Sequence, residues 1–312
     1  MPRILEPGQI EAFAQRDITR ARLPDRARVF TARAERLRQQ SEDGAIGHSI
    51  GDYLRLMASL ADAQQVALAL IESNPPAPPS AEQVAHAREF HMPLVSVASW
   101  QREAQWRESL LAICDSLLAS PDLPAPARAI CDRLRASESA QLEAQADTLL
   151  GTENAEVDAA TAPFIIAALQ VYWVALASRM NPEDAHELDV PGVCPTCGSL
   201  PVASIVRADS RSQGLRYLHC ALCETEWHMV RVKCSHCQTT QGISYQSIEG
   251  GPKSIRAECC DTCHTYRKIL YQEQDVAVEP VADDLASLSL DLLLGEAGYQ
   301  RASSNPMLWH GS

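Results

Sequence analysis

The sequence predicts a multidomain architecture: a helical N-terminal domain, two small tandem ribbon modules and a C-terminal helix. Three observations carry that expectation. Residues 1 to about 185 are dominated by Ala, Leu, Arg and Glu, with apolar residues at helical spacing. Residues 194–263 hold four Cys-x-x-Cys pairs among short β-prone pieces, and residues 282–294 return to a leucine-rich helical pattern. At 312 residues, 46% hydrophobic and 21% charged, the chain has the size of about two domains of ~150 residues and enough apolar surface for a packed core. The expected divisions are 1–185 (helical), 186–231 and 232–275 (the two modules), and 276–312, an acidic helical tail that packs back on the body.

In the helical part, Tyr53, Leu56, Leu60, Ala63, Ala67 and Leu70 form one apolar stripe. That helix must stop near Ile71, because Asn74-Pro75-Pro76-Ala77-Pro78-Pro79 cannot sustain helical hydrogen bonding. Ser80-Ala81-Glu82-Gln83 then supplies an N-cap signature for the next helix. Pro121, Pro124 and Pro126 separate the helices that carry Cys114 and Cys131. The stretch Ala162–Ala177 has no charge and is broken only by Pro163 and Gln170. Its sixteen residues would rise about 24 Å as a helix, short of the ~30 Å hydrocarbon core, so it reads as the centre of a helical bundle. The opening Met1-Pro2-Arg3-Ile4-Leu5-Glu6-Pro7 lacks the apolar run of a signal peptide. A net charge of −13 opposes coating of nucleic acid or anionic lipid. The expectation is a cytoplasmic protein without membrane insertion.

Beyond Asn181-Pro182-Glu183-Asp184 the pattern changes to β-prone pieces such as Ala203–Val206 and Trp227–Val230. The cysteine pairs are Cys194/Cys197, Cys220/Cys223, Cys234/Cys237 and Cys260/Cys263, and adding 40 to the first two pairs gives the last two. Leu215 and Ile255, Arg216 and Arg256, and Thr225 and Thr265 obey the same offset, so a unit of about 40 residues is duplicated. Each unit places 22 residues between its two knuckles. Two residues between cysteines let a tight turn present both thiolates to one ion, and two such turns complete a tetrahedron. Gly198 suits the turn of Cys194-Pro195-Thr196-Cys197, whereas Glu224, Gln238 and His264 follow the other three pairs and are less suited to it.

Four thiolates accept zinc or iron, and a closed site leaves no position for a substrate, which opposes hydrolytic metal catalysis. A thioredoxin-type dithiol would need a βαβ setting and would not explain two matched sets. Cys114 and Cys131 are expected to pack as small apolar groups, and the register assigns ligation to Cys260 instead of Cys259. His219, His228, His236 and His264 are expected to flank the knuckles without ligating. Duplication of a self-sufficient unit predicts sequential pairing of knuckles in two separate lobes, with Glu224–Lys233 as one connecting strand of about 33 Å.

The runs Cys194-Pro-Thr-Cys-Gly198 and Gly214 to Cys237, with Asp52-Tyr-Leu-Arg55, Ala167 to Trp173, Ala282 to Ala286 and Gly298-Tyr299, closely resemble the formate dehydrogenase accessory protein family, FdhE. The resemblance implies a helical N-terminal part followed by two rubredoxin-like (zinc-ribbon-like) modules, and a cytoplasmic assembly factor with no enzyme activity. It further implies binding to the catalytic subunit of a respiratory formate dehydrogenase before twin-arginine export. The metal ligands carried over are the eight paired cysteines, holding two metal ions per chain, iron in preference to zinc. Arg216, Tyr217, Glu226 and Trp227 match the family run; packing between modules is their first expected role and partner contact the second. Two other functions are weighed: a nucleic-acid-binding zinc ribbon and a rubredoxin-like electron carrier. Residues 194–275 hold nine Lys/Arg against eight Asp/Glu, and eight thiolates with two divalent ions bring the region to about −3, against phosphate binding.

Overall fold

In the computed structural model of the chain, residues 18–151, 157–209 and 213–308 are described, and the opening Met1–Pro7 lies outside them. Helix α1 (Val29–Glu42) packs along α2 (Gly44–Leu70), which ends in a 3₁₀ turn at Ile71–Ser73 before the prolines. Ser80 caps α3 (Ala81–Glu89) through a capping box with Gln83, as its sequence signature requires. Helices α4 (Gln105–Leu118), α5 (Ala125–Arg135) and α6 (Ser139–Leu149) follow, and α7 (Ala162–Ala177) runs through the centre with every residue but Ile166 buried. The segment Ser49–Ser73 is long and apolar enough to cross a membrane by length and composition; its most apolar 18-residue window has mean hydropathy 1.3, and more than half of that window is buried inside this fold. Cys114 and Cys131 sit in the helical core with Trp106, Leu110 and Leu134.

The strands form one sheet in the order β1 (Ala21–Arg22), β4 (Glu226–His228), β3 (Arg216–Cys220), β2 (Pro201–Val206), β7 (Thr265–Tyr271), β6 (Ile255–Cys260), β5 (Ile243–Gln246), with β8 (Gln300–Arg301) beside β7. Each duplicated unit contributes one three-stranded antiparallel meander. The units do not stand apart as separate lobes. β2 of the first and β7 of the second pair in parallel through Ser204–Ile269, Ile205–Leu270 and Val206–Tyr271. Two exposed strand edges would otherwise be left unpaired, and joining them satisfies both. The connecting segment also departs from the expected single strand. Only Glu226–His228 is extended in the sheet, and Val232, at φ +57°, turns the chain into the third knuckle.

The C-terminal tail lies against the sheet and the helices as α8 (Pro280–Ala286) and α9 (Leu288–Glu296). The single helix expected over residues 282–294 is broken at Ser287. The Lys268 ammonium donates to the Asp284 carbonyl at 2.7 Å and the Ser287 carbonyl at 3.1 Å, and Ser287 Oγ donates to the Asp283 carbonyl, which ties off the first helix. Leu285, Leu290 and Leu294 are buried, but Leu292 and Leu293 remain 71% and 50% exposed. Asp283 and Asp284 face inward from α8. They are fully buried, Asp283 against Arg36 and Asp284 against Arg301 and Lys268.

Candidate metal centres

The eight paired cysteines gather into two groups, and the grouping is sequential. Cys194, Cys197, Cys220 and Cys223 place their sulfurs within 4.8 Å of one another, as do Cys234, Cys237, Cys260 and Cys263. Cys197–Cys220 lie at 3.4 Å and Cys194–Cys223 at 3.5 Å in the first group, and Cys237–Cys260 and Cys234–Cys263 at 3.7 Å in the second. Sulfurs bound tetrahedrally at about 2.3 Å from one ion would lie about 3.8 Å apart. No cysteine among the described residues is in a disulfide. The donor set and spacing therefore fit a four-thiolate metal site, and the two clusters could hold two metal ions.

The local backbone explains how the sequence builds these turns. The residue after each second cysteine adopts a left-handed conformation: Gly198 at φ +79°, Glu224 at +61°, Gln238 at +65° and His264 at +55°. Glycine takes this conformation freely, while each of the other three costs about 1 kcal/mol or more. The knuckle geometry thus overrides residue preference in three of four cases. Hydrogen bonds repeat at the offset of 40: Cys194 N–H donates to the Ser199 carbonyl and Cys234 N–H to that of Thr239, both at 2.9 Å. Thr225 and Thr265 hydroxyls lie 3.2 and 3.1 Å from Cys223 and Cys263 Sγ. Backbone N–H groups of Leu222 and Cys223 point at Cys220 Sγ, and those of His236 and Cys237 at Cys234 Sγ, an arrangement that stabilises thiolate charge.

The helical domain closes over the first cluster. Leu94, Val95 and Val97 donate their N–H groups to the carbonyls of Pro195, Thr196 and Cys197, and Trp173 Nε1 in α7 donates to the Val95 carbonyl. Gln170, the lone amide in that apolar helix, donates through Nε2 to the Ala221 carbonyl in the second knuckle at 2.8 Å and accepts from Gln64 at 2.8 Å. The first cluster's cysteines belong to the same apolar core as α7.

Beside that cluster lies a buried charge network. Arg33 in α1 donates to Glu224 at 2.6 Å and to Glu279 at 3.1 Å, tying the helical domain to the second knuckle and to the tail. His219 bridges Glu224 (2.7 Å) and Glu226 (3.1 Å), and Glu226 also pairs with Arg207. Burial alone would lower the His219 pKa, but the two carboxylates raise it to about 9. Burial works against ionisation of Glu226 as well, and Arg207 and His219 nevertheless hold its pKa near 2. His219, Glu224 and Glu279 could be taken for a third metal site by proximity, yet the Arg33 guanidinium already occupies the cation position there.

These details coincide with known proteins. Profiles of the FdhE N-terminal, central and C-terminal domains match residues 18–189, 193–231 and 232–308. The chain belongs to the FdhE family. It is 43% identical over 290 residues to the protein FdhE homolog of Edwardsiella ictaluri, covering 93% of this chain and 91% of that one. It is 41% identical over 284 residues to protein FdhE of Salmonella paratyphi A, covering 91% and 89%. The crystal structure of the FdhE protein from Pseudomonas aeruginosa superposes with a TM-score of 0.81 at 39% identity, over 94% of this chain and all of that one.

Within this FdhE chain, the run 214–237 comprises β3, the second knuckle, β4 and the third knuckle. Arg216 donates to Ser204 and to the Lys233 carbonyl and pairs with Glu258 of the second unit at 2.8 Å, so it packs the two units together. Tyr217, Glu226 and Trp227 are buried, the Trp227 indole N–H on the Pro191 carbonyl. Packing, the first expected role of these four residues, is the one their burial supports. His219 packs against carboxylates and not toward a cluster. Sequence reading missed Arg33, Arg36 and the loop 93–97. The signal for the arginines was present: α1 carries Arg33, Arg36 and Gln40 on its buried face, matched by the acids Glu279 and Asp283 far along the chain.

Proposed function

We propose that this chain is a non-enzymatic, cytoplasmic accessory factor that binds the catalytic subunit of a respiratory formate dehydrogenase before its twin-arginine export. The observation that carries this reading is the likeness to FdhE proteins over nearly the whole chain, with both four-cysteine clusters assembled. In this reading Cys194, Cys197, Cys220 and Cys223 hold one ion and Cys234, Cys237, Cys260 and Cys263 a second, iron in preference to zinc. When bound, the metal supplies cross-links between the two knuckles of each unit. Arg33, Gln170 and the loop 93–97 orient the first knuckles against the helices, and Arg216 joins the two units. Closed four-thiolate sites favour a binding role over catalysis.

Charge placement opposes the nucleic-acid reading. Of the nine cationic side chains between residues 194 and 275, Arg216, Arg267 and Lys268 are buried, which leaves still less positive surface for phosphate. The test is affinity capture with the tagged full-length chain from cells making a respiratory formate dehydrogenase. The catalytic subunit should co-purify, and metal analysis should give two ions per chain. Failure to retain that subunit, or retardation of DNA or RNA at about 150 mM salt, would overturn the proposal.

A further inference from the structure

The two clusters arose by duplication and keep the same knuckle hydrogen bonds, yet their surroundings differ in burial and cover. We infer that they are inequivalent centres: the first is an inert internal cross-link, and the second is an open, exchangeable metal site entered through Cys237 and Cys263. This rests on the reading that both clusters hold metal.

Burial gives the first observation. All four cysteines of the first cluster are fully buried, whereas Cys237 is exposed and Cys263 half-buried in the second. The second observation lies in the sequence between the cysteines. Thr196 and Leu222 are buried inside the first unit's knuckles; their counterparts His236 and Thr262 are exposed. Glu224, buried against Arg33, corresponds to His264, which faces solvent. The third observation is the cover. Loop 93–97 seals the first knuckle by three backbone hydrogen bonds, and the Gly198 position is so close to Pro93 that a Cβ would sit 3.2 Å from its ring. The second cluster has β5, an edge strand of half-buried and exposed residues, at its side.

Ligand exchange at a four-thiolate site begins when an incoming group reaches the ion or a thiolate leaves it. At the second cluster both routes open directly to water. At the first, the loop and the second knuckle must move away from α7, which requires a local opening of the main core. Metal should therefore leave the second cluster first, and electrophiles should find its thiolates first. Alkylation is the simple probe: thiolate sulfur attacks the methylene carbon of iodoacetamide, the C–S bond forms, and iodide departs.

The experiment uses the full-length protein as purified with its metal. It is mixed with 4-(2-pyridylazo)resorcinol to record metal release, and parallel samples are quenched with iodoacetamide for peptide mass spectrometry. One equivalent should leave about tenfold or more faster than the other, with early label on Cys237 and Cys263, then Cys234 and Cys260. Label on Cys194, Cys197, Cys220 and Cys223 should appear only with the slow equivalent. Release of both ions at one rate, or early label in the first cluster, would overturn the inference while leaving the metal reading intact. Protein that carries no metal on isolation would overturn both.

Discussion

Replacing Arg33 by methionine tests how the helical domain, the second knuckle and the tail are held together. Arg33 is fully buried and pairs with Glu224 at 2.6 Å and Glu279 at 3.1 Å. Burial would depress its pKa, but the two carboxylates keep the guanidinium charged. Methionine fills similar space and removes the charge, so both carboxylates lose their shared partner. Breaking a buried pair costs about 3–5 kcal/mol. Two features soften the loss here: Glu224 keeps His219, and Glu279 Oε2 still accepts from the Ala282 N–H at the start of α8. The lower end, about 3 kcal/mol, is therefore expected, a large share of the about 5–15 kcal/mol of a folded domain. Urea denaturation of Arg33→Met, Glu224→Gln and the double variant would measure it. The double variant should cost about 1–2 kcal/mol less than the sum of the singles, because the two residues touch. Hydrogen exchange should rise together in residues 220–226 and 279–286. A loss below 1 kcal/mol in Arg33→Met, or strict additivity, would refute the view that Arg33 fastens three parts of the chain.

Three further outcomes follow from the same geometry. Gln170→Leu should destabilise by about 1–3 kcal/mol by leaving the part-buried Ala221 carbonyl without its donor and the buried Gln64 amide without one acceptor, measured by thermal melting; an unchanged melting temperature would contradict it. Cys220→Ala should reduce helical circular dichroism as well as sheet structure, because that sulfur lies in the α7 core and metal coupling of about 10–16 kcal/mol rivals total stability, whereas Cys237→Ala should preserve the helical signal; equal losses would refute the difference. Burial disfavours the Asp284 carboxylate, yet Lys268 and Arg301 hold its pKa below the usual value, so its stabilisation is complete above about pH 4 and is lost as pH falls through the lowered value. Hydrogen exchange in residues 280–296 should therefore increase below about pH 4, and tail protection unchanged at pH 2–3 would count against this ion cluster.

Much of the candidate site was legible in the sequence. The offset of 40 fixes which cysteines belong to which unit, since tetrahedral thiolate sites need two tight turns and duplication copies both; the sulfur grouping follows that register. The helix Ala162–Ala177 and the Ser80 cap were equally readable, because periodicity and capping are local properties of the chain. Tertiary structure decided the rest. No local rule tells that β2 and β7 pair across the duplication, as strand edges choose partners by where the chain brings them. Nor does one tell that Glu279 and Asp283 travel from the tail to meet Arg33 and Arg36, some 246 residues away for Arg33–Glu279, because an ion pair leaves no periodic trace. The same holds for the difference between the clusters. Both units repeat the same cysteine spacing, and packing of the first against the helices seals it while the second stays open, since burial belongs to what surrounds a residue as much as to the residue itself.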